Sequence, residues 1–239
     1  MRLTSTTLLL VGGALAAVSG SAAGTQGQAT ADSVAEPNSG RKFPVHLAVP
    51  DREAVHRLTG VGIRTRTIFK VQVYAYGLYL DSAGAATALA VWEGTPAREL
   101  QEDPALYRAL LAPSFGKSLR LVMTRDVDGT DMADAFDGAL RPRVLHWADS
   151  TGAPGGEDAL ATFRGYFSID RLGKETELVF SWLPGDTLVT AIGGEAPRVM
   201  QTPALPWALF DVYLGENPVS KDGKKAIVSG IFSLLRRSP

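Results

Sequence analysis

The sequence predicts an α+β fold built on an antiparallel sheet. Three observations carry that prediction. The stretch from Arg57 to Leu80 is rich in Val, Ile, Thr and Tyr and contains no proline, which is the composition of extended strands. Thr176 to Leu183 and Thr187 to Ile192 are two further β-rich runs, joined by Pro184-Gly185-Asp186 with proline and glycine where a type II turn prefers them. Between and after these blocks apolar residues recur at helical spacing, so the order is strands, helices, strands, helices.

Along the chain, Met1-Arg2 is followed by an apolar stretch from Leu8 to Val18 and by the small residues Ser19 to Ala23. This reads as an export signal over residues 1–23, cleaved near Ala23, and places the mature chain in the periplasm or medium. Residues 24–41 are mostly Gly, Ser, Thr, Ala, Gln and Asn without an apolar period, and read as a flexible leader. One domain follows over residues 42–239, with order starting near Phe43. Within Arg57 to Leu80 one parity carries Phe69, Val71, Val73, Ala75 and Tyr79; the other carries Lys70, Gln72, Tyr74 and Tyr76 before Leu78 and Leu80. That alternation predicts a sheet with one core face and one more polar face.

Asp81 or Ser82 caps a predicted helix to Trp92, and Asp103-Pro104 starts another through Leu111. Lys117 to Thr124 reads as a strand. After the turn Asp126, Asp128, Gly129 and Asp131, the residues Met132, Ala135, Phe136, Ala139 and Leu140 recur as one helical face. Gly155-Gly156-Glu157-Asp158 opens a helix through Phe163 and Phe167. A helix from Pro203 to Leu214 stops at Gly215, and a last one from Ser220 to Leu235 keeps Ile227, Ile231, Leu234 and Leu235 together.

Composition removes whole classes of function. The chain has 239 residues, no cysteine and a formal net charge of −1. Disulfides, thiolate zinc sites and cysteine nucleophiles are therefore excluded, and no charge excess exists to steer nucleic acid. His46, His56 and His146 form no metal-ligand spacing, so neither metal nor cofactor is expected. The acidic turn at Asp126 lacks the spacing and closing glutamate of a calcium loop. No later window is apolar enough to span a membrane once the signal is removed. Small molecules, lipids and proteins remain as partners.

Gly60-Val61-Gly62 lies inside strand-like sequence, where paired glycines mark a bulge or a close backbone approach. Arg64 follows them in an apolar stretch. A guanidinium held near a sheet surface offers a planar fork to a carboxylate, phenolate or carbonyl oxygen, and Tyr74 and Tyr76 add phenolic donors on apolar rings. The competing account is a solvated strand face on which Arg64 pairs with an internal acid.

The run Gly60-Val61-Gly62-Ile63-Arg64 followed by Val71-Gln72-Val73-Tyr74-Ala75-Tyr76-Gly77-Leu78-Tyr79-Leu80 resembles the signature hairpin of the chalcone isomerase-like family. Leu209-Phe210-Asp211-Val212-Tyr213-Leu214-Gly215 with Asn217-Pro218-Val219-Ser220 is similar to that family's closing helices. The resemblance implies an open-faced β-sandwich, a large curved antiparallel sheet backed by helices, with a ligand cleft between the two layers. It places Arg64 as the cleft arginine, Tyr74 where the catalytic members carry a threonine, and Thr202 near a late polar cleft residue. The catalytic tyrosine and asparagine of the family have no match in Thr130 to Ala139, where Met132 takes the tyrosine position. The fatty-acid-binding branch carries an arginine and a tyrosine like Arg64 and Tyr74. The resemblance thus implies a non-catalytic domain that holds a fatty acid or similar amphipathic carboxylate through Arg64, Tyr74, Tyr76 and Thr202. Two alternatives stand beside it: an intramolecular lyase on a chalcone-like enone, carried by Arg64 and Tyr74, and a protein-partner module on the same scaffold.

Overall fold

The computed structural model describes residues 32–66, 71–153 and 156–236. The predicted export signal, the first part of the leader, Phe69, Lys70 and Gly155 lie outside them. The chain forms β1 (Ser33–Ala35), β2 (Lys42–Pro44), β3 (His46–Ala48), β4 (Val55–Arg66), β5 (Val71–Leu80), α1 (Ser82–Ala88), α2 (Ala97–Glu102) and α3 (Pro104–Leu110). It continues with β6 (Lys117–Met123), β7 (Val127–Asp128), α4 (Gly129–Thr151), α5 (Glu157–Gly165) and β8 (Arg171–Leu172). Last come β9 (Glu177–Leu183), β10 (Thr187–Ile192), β11 (Arg198–Gln201), α6 (Ala204–Leu214) and α7 (Lys221–Leu235).

Seven strands make one antiparallel sheet in the order β11-β10-β9-β6-β5-β4-β3, which is the predicted α+β class. Its helix-facing side carries Tyr74, Tyr76, Leu78 and Leu80 of β5, Leu119 and Leu121 of β6, and Leu178, Phe180 and Trp182 of β9. These pack against Phe136 and Leu140 of α4, Phe163 of α5, nearly all of α6, and Ile227 and Ile231 of α7. Burial of this apolar area is the main force holding the two layers together.

The sequence parity within β5 is overturned by a bulge. Arg64 pairs with Tyr74 but Thr65 pairs with Gln72, so Val73 is an extra residue on β5. A bulge shifts the alternation by one. Beyond it Tyr74, Tyr76, Leu78 and Leu80 face the main core, while Ala75 and Tyr79 join Phe43 and Val122 in a smaller cluster on the opposite face. That second face is therefore also apolar, rather than polar as the alternation implies.

The leader is ordered earlier than Phe43. β1 pairs with β2, and the loop between them winds around the buried Glu36 carboxylate, which accepts from Asn38 Nδ2 at 2.9 Å, Ser39 N at 2.8 Å and Ser39 Oγ at 2.7 Å. Burial would raise the Glu36 carboxyl, but these bonds outweigh it and hold it below the usual range. A polar, low-complexity sequence thus acquires structure through one acid that collects local donors.

The glycines of β4 sit under α7. A Cβ on Gly60 would lie 2.5 Å from the Ile227 nitrogen, and one on Gly230 would lie 1.5 Å from the Thr59 carbonyl oxygen. Strand and helix backbones touch here, which only glycine permits. Ser220, where the last helix is predicted to start, caps α7, its Oγ accepting from Gly223 N at 3.1 Å. The helix predicted from Met132 to Leu140 instead runs to Thr151, through Pro142. Proline there removes the backbone donor that would reach the Gly138 carbonyl, and, one position on, Arg143 Nη1 donates to the Ala139 carbonyl at 2.8 Å. Gly215 ends α6 with an extended φ of −66°, not the left-handed turn its type implies. Among the described residues no helix is long and apolar enough to cross a membrane.

Candidate functional site

The bulge at Val73 decides what faces the gap between sheet and α4. A cavity of about 410 Å³ opens there. Val71, Val73 and Tyr74 of β5 all line it, a set that strict alternation could not deliver to one face. Arg64 and Arg66 of β4 line it from the neighbouring strand, two positions apart and hence on one side. The facing wall belongs to α4, which presents Met132, Ala135, Phe136 and Ala139, with Asp131 at its start and Val212 of α6 beyond. Arg125 and Val127 complete the lining from the segment after β6.

Polarity is concentrated at the sheet side. The Arg64 guanidinium carbon lies 6.0 Å from the Tyr74 ring centroid. The Tyr74 hydroxyl lies 2.8 Å from that of Tyr213, so one phenol donates to the other. The pair leaves one proton free to turn toward the cavity. Burial, with the neighbouring Tyr74 phenol, pushes the Tyr213 hydroxyl well above its ordinary value, so it stays a neutral donor. The Tyr74 phenol raises the Arg64 guanidinium, burial opposes this, and the Tyr213 phenol adds to the rise. Among the described residues no carboxylate pairs with Arg64, whereas Arg120 is held by Glu177 and Arg143 by Asp211. The internal-acid account of Arg64 fails on this observation.

Two of the four residues singled out from sequence lie elsewhere. Tyr76 is fully buried one strand pair further along; its ring stands edge-on to Tyr213 with centroids 4.8 Å apart, and it fills the space left by Gly62 and Gly223. Its hydroxyl has no hydrogen-bond partner among the described residues, and burial raises the phenol far above its ordinary range. It is a core residue because the parity that carries Tyr74 carries Tyr76 beneath the helices. Thr202 precedes α6, where its backbone N–H donates to Asp186 O at 3.0 Å. The cavity instead meets α6 at Val212, ten residues on and about 12 Å along the helix axis from its start at Ala204.

Sequence reasoning missed Tyr213, Val212, Arg66 and Arg125 as parts of this constellation. Tyr213 carried a usable signal: it is a polar tip within the largely apolar α6, and a buried phenol needs a partner. The two outer arginines carried none, since strand ends rich in arginine are ordinary surface.

A second hollow of about 760 Å³ lies among the helices, lined in part by Tyr107, Arg143, Trp207, Asp211 and Lys224. Its inner charges are already satisfied. Arg143 Nε contacts Asp211 at 2.7 Å, and Lys224 Nζ donates to the Gly215 carbonyl at 2.8 Å while standing 3.6 Å from the Tyr107 ring centroid. The smaller cavity, with its unpaired arginines and apolar wall, is the better ligand site.

Comparison with known proteins agrees with this geometry. The model of the "Chalcone isomerase like" family matches residues 54–228. Fatty-acid-binding protein 2 of Arabidopsis thaliana is 27% identical over 209 residues, covering 84% of this chain and 52% of that protein, so the chain spans about half its length. A chalcone–flavanone isomerase of Oryza sativa subsp. japonica is also 27% identical, over 206 residues that cover 81% of this chain and 87% of the isomerase. The crystal structure of an Arabidopsis thaliana fatty-acid binding protein superposes with a TM-score of 0.73 at 22% identity, covering 85% of this chain and 99% of that one. The likeness extends to the curved sheet with its helical layer.

Proposed function

We propose that this chain, which belongs to the chalcone isomerase-like family, is a non-catalytic binder of a fatty acid or similar amphipathic carboxylate. The observation that carries this reading is the unpaired Arg64 beside the Tyr74–Tyr213 hydroxyl pair, at the polar side of a cavity whose α4 wall is apolar. A carboxylate takes charge-assisted bonds from the guanidinium and one from a phenol, while its chain covers Met132, Phe136 and Val73. At roughly 30 Å³ for a group the size of water or a methylene, the cavity holds a chain of on the order of twelve carbons. Similarity to fatty-acid-binding proteins points the same way.

The α4 wall also argues against isomerase chemistry. An enolate formed during ring closure needs donors aimed at its oxygen, usually the largest catalytic contribution, and Met132 and Ala139 offer none. The second reading, an intramolecular lyase on a chalcone-like enone, keeps Arg64 and Tyr74 as its support. Export before binding follows from the residues 1–23 signal and gives the cavity its cargo in the envelope or medium.

The test is mass spectrometry of lipids extracted from the purified mature chain, with laurate titration of the wild type and Arg64→Gln. Bound acyl chains and a loss of affinity of about tenfold or more in the variant are expected. An empty cavity and equal affinities overturn the reading. Loss of chalcone absorbance with a single product enantiomer would establish the lyase instead.

A further inference from the structure

The cavity holds more positive charge than a monocarboxylate uses. Among the described residues Arg64, Arg66 and Arg125 line it against Asp131 as the one acid, a formal excess of two positive charges. None of the three arginines pairs with a carboxylate among the described residues, while Arg120, Arg143, Arg164 and Arg198 each do. Arg64 and Arg66 reach the cavity from β4 and Arg125 from the segment after β6, so guanidinium groups approach its opening from two separate elements. Like charges gathered around an apolar hollow repel one another; water screens the exposed Arg66 and Arg125 in part, and an anion of matching charge at the opening relieves the rest. One carboxylate leaves half of the excess uncompensated.

We propose that the preferred ligand is a phosphate monoester carrying a single hydrocarbon tail. Such a head group bears about 1.5 to 2 negative charges near neutral pH and offers three acceptor oxygens, enough for forked bonds to more than one guanidinium. The tail is required by the opposite wall, where Met132, Phe136 and Ala139 give an inorganic ion nothing to bind. This inference rests on the reading of the cavity as a site for an anionic amphiphile and specifies the head group.

Calorimetric titration of the purified chain at about pH 8 with dodecyl phosphate, laurate and sodium phosphate, each below any micelle concentration, tests it. Dodecyl phosphate should bind about tenfold or more tightly than laurate, and sodium phosphate about a hundredfold more weakly than dodecyl phosphate. Arg125→Gln and Arg66→Gln should each remove most of the phosphate preference, weakening dodecyl phosphate several-fold more than laurate. At about pH 5, where the phosphate is singly charged, the gap between the two amphiphiles should close. Equal binding of laurate and dodecyl phosphate at both pH values overturns the head-group assignment and leaves the carboxylate reading standing. Binding of neither overturns both. Sodium phosphate as tight as dodecyl phosphate overturns the lipid character and identifies a free-phosphate site.

Discussion

Replacing Lys117 by methionine should remove the rise in stability that this lysine produces above about pH 7. Lys117 is fully buried on the helix-facing side of β6, its Nζ lying 4.4 Å from the Phe115 ring centroid and 4.2 Å from that of Trp182, and donating to Ala112 O at 2.7 Å. Burial, with only partial compensation from Asp186, brings its amine from 10.5 down to about 7. The folded state therefore sheds this proton near pH 7, whereas the unfolded chain keeps it until about 10.5. Between these values the unfolded state binds more protons, so stability rises with pH. The slope is about 1.4 kcal/mol per pH unit, and the full rise is on the order of 5 kcal/mol. The assay is urea unfolding of the wild type and Lys117→Met at several pH values from about 7 to 9.5, reading the difference between the two. That difference should move in favour of the wild type as pH rises. A constant difference would refute the reasoning, because it would mean that Nζ stays charged and solvated in the folded protein.

Other expectations follow from the same physics. His56 is buried with its Nδ1 2.8 Å from Ser118 Oγ, and burial, opposed by Asp81 and reinforced by Lys117, brings it from 6.5 to about 4. Relative to His56→Gln, the wild type should lose on the order of 3 kcal/mol as pH falls from about 6.5 to 4, measured by chemical denaturation. Gly230→Ala should cost about 3 kcal/mol or more, seen as a drop in urea midpoint, since its Cβ meets the Thr59 carbonyl and α7 must lift from β4. Tyr76→Phe should leave laurate affinity unchanged and stability equal or up to about 1 kcal/mol higher, because it removes a buried hydroxyl without a partner. Tyr74→Phe should instead weaken laurate binding by about tenfold, and equal affinity in titration would remove Tyr74 from the site.

Much of the architecture is legible without coordinates because it is written in local chemistry. The β4–β5 strands, the β9–β10 hairpin with its Pro184-Gly185 turn, the Asp81 and Asp103 caps, the start of α7 at Ser220 and the helical faces of α4 and α7 follow from propensity, turn residues and periodicity. Short elements escape such reasoning. β3, β11 and α2 are too brief to show a period, and they form because the sheet edge and the α7 surface hold them in place. The β1–β2 hairpin escapes for a different reason, since its order comes from one buried carboxylate and not from apolar pattern.

For the site, the sequence by itself singled out Arg64, Tyr74 and Tyr76, because an arginine and two tyrosines in an apolar strand hairpin are chemically conspicuous, and the family resemblance added Thr202. Tertiary structure alone decided their neighbours. The extra residue Val73 reverses the alternation of β5, and no composition rule locates a bulge whose position depends on how β4 pairs across it. That reversal brings Val71, Val73 and Tyr74 to one wall, places Tyr76 in the core and sets the Tyr74 hydroxyl against Tyr213, 139 residues away in the chain. Residue type determines what a side chain can do. Register and long-range packing determine which side chains meet, because a shift of one residue along a strand moves each side chain to the opposite face.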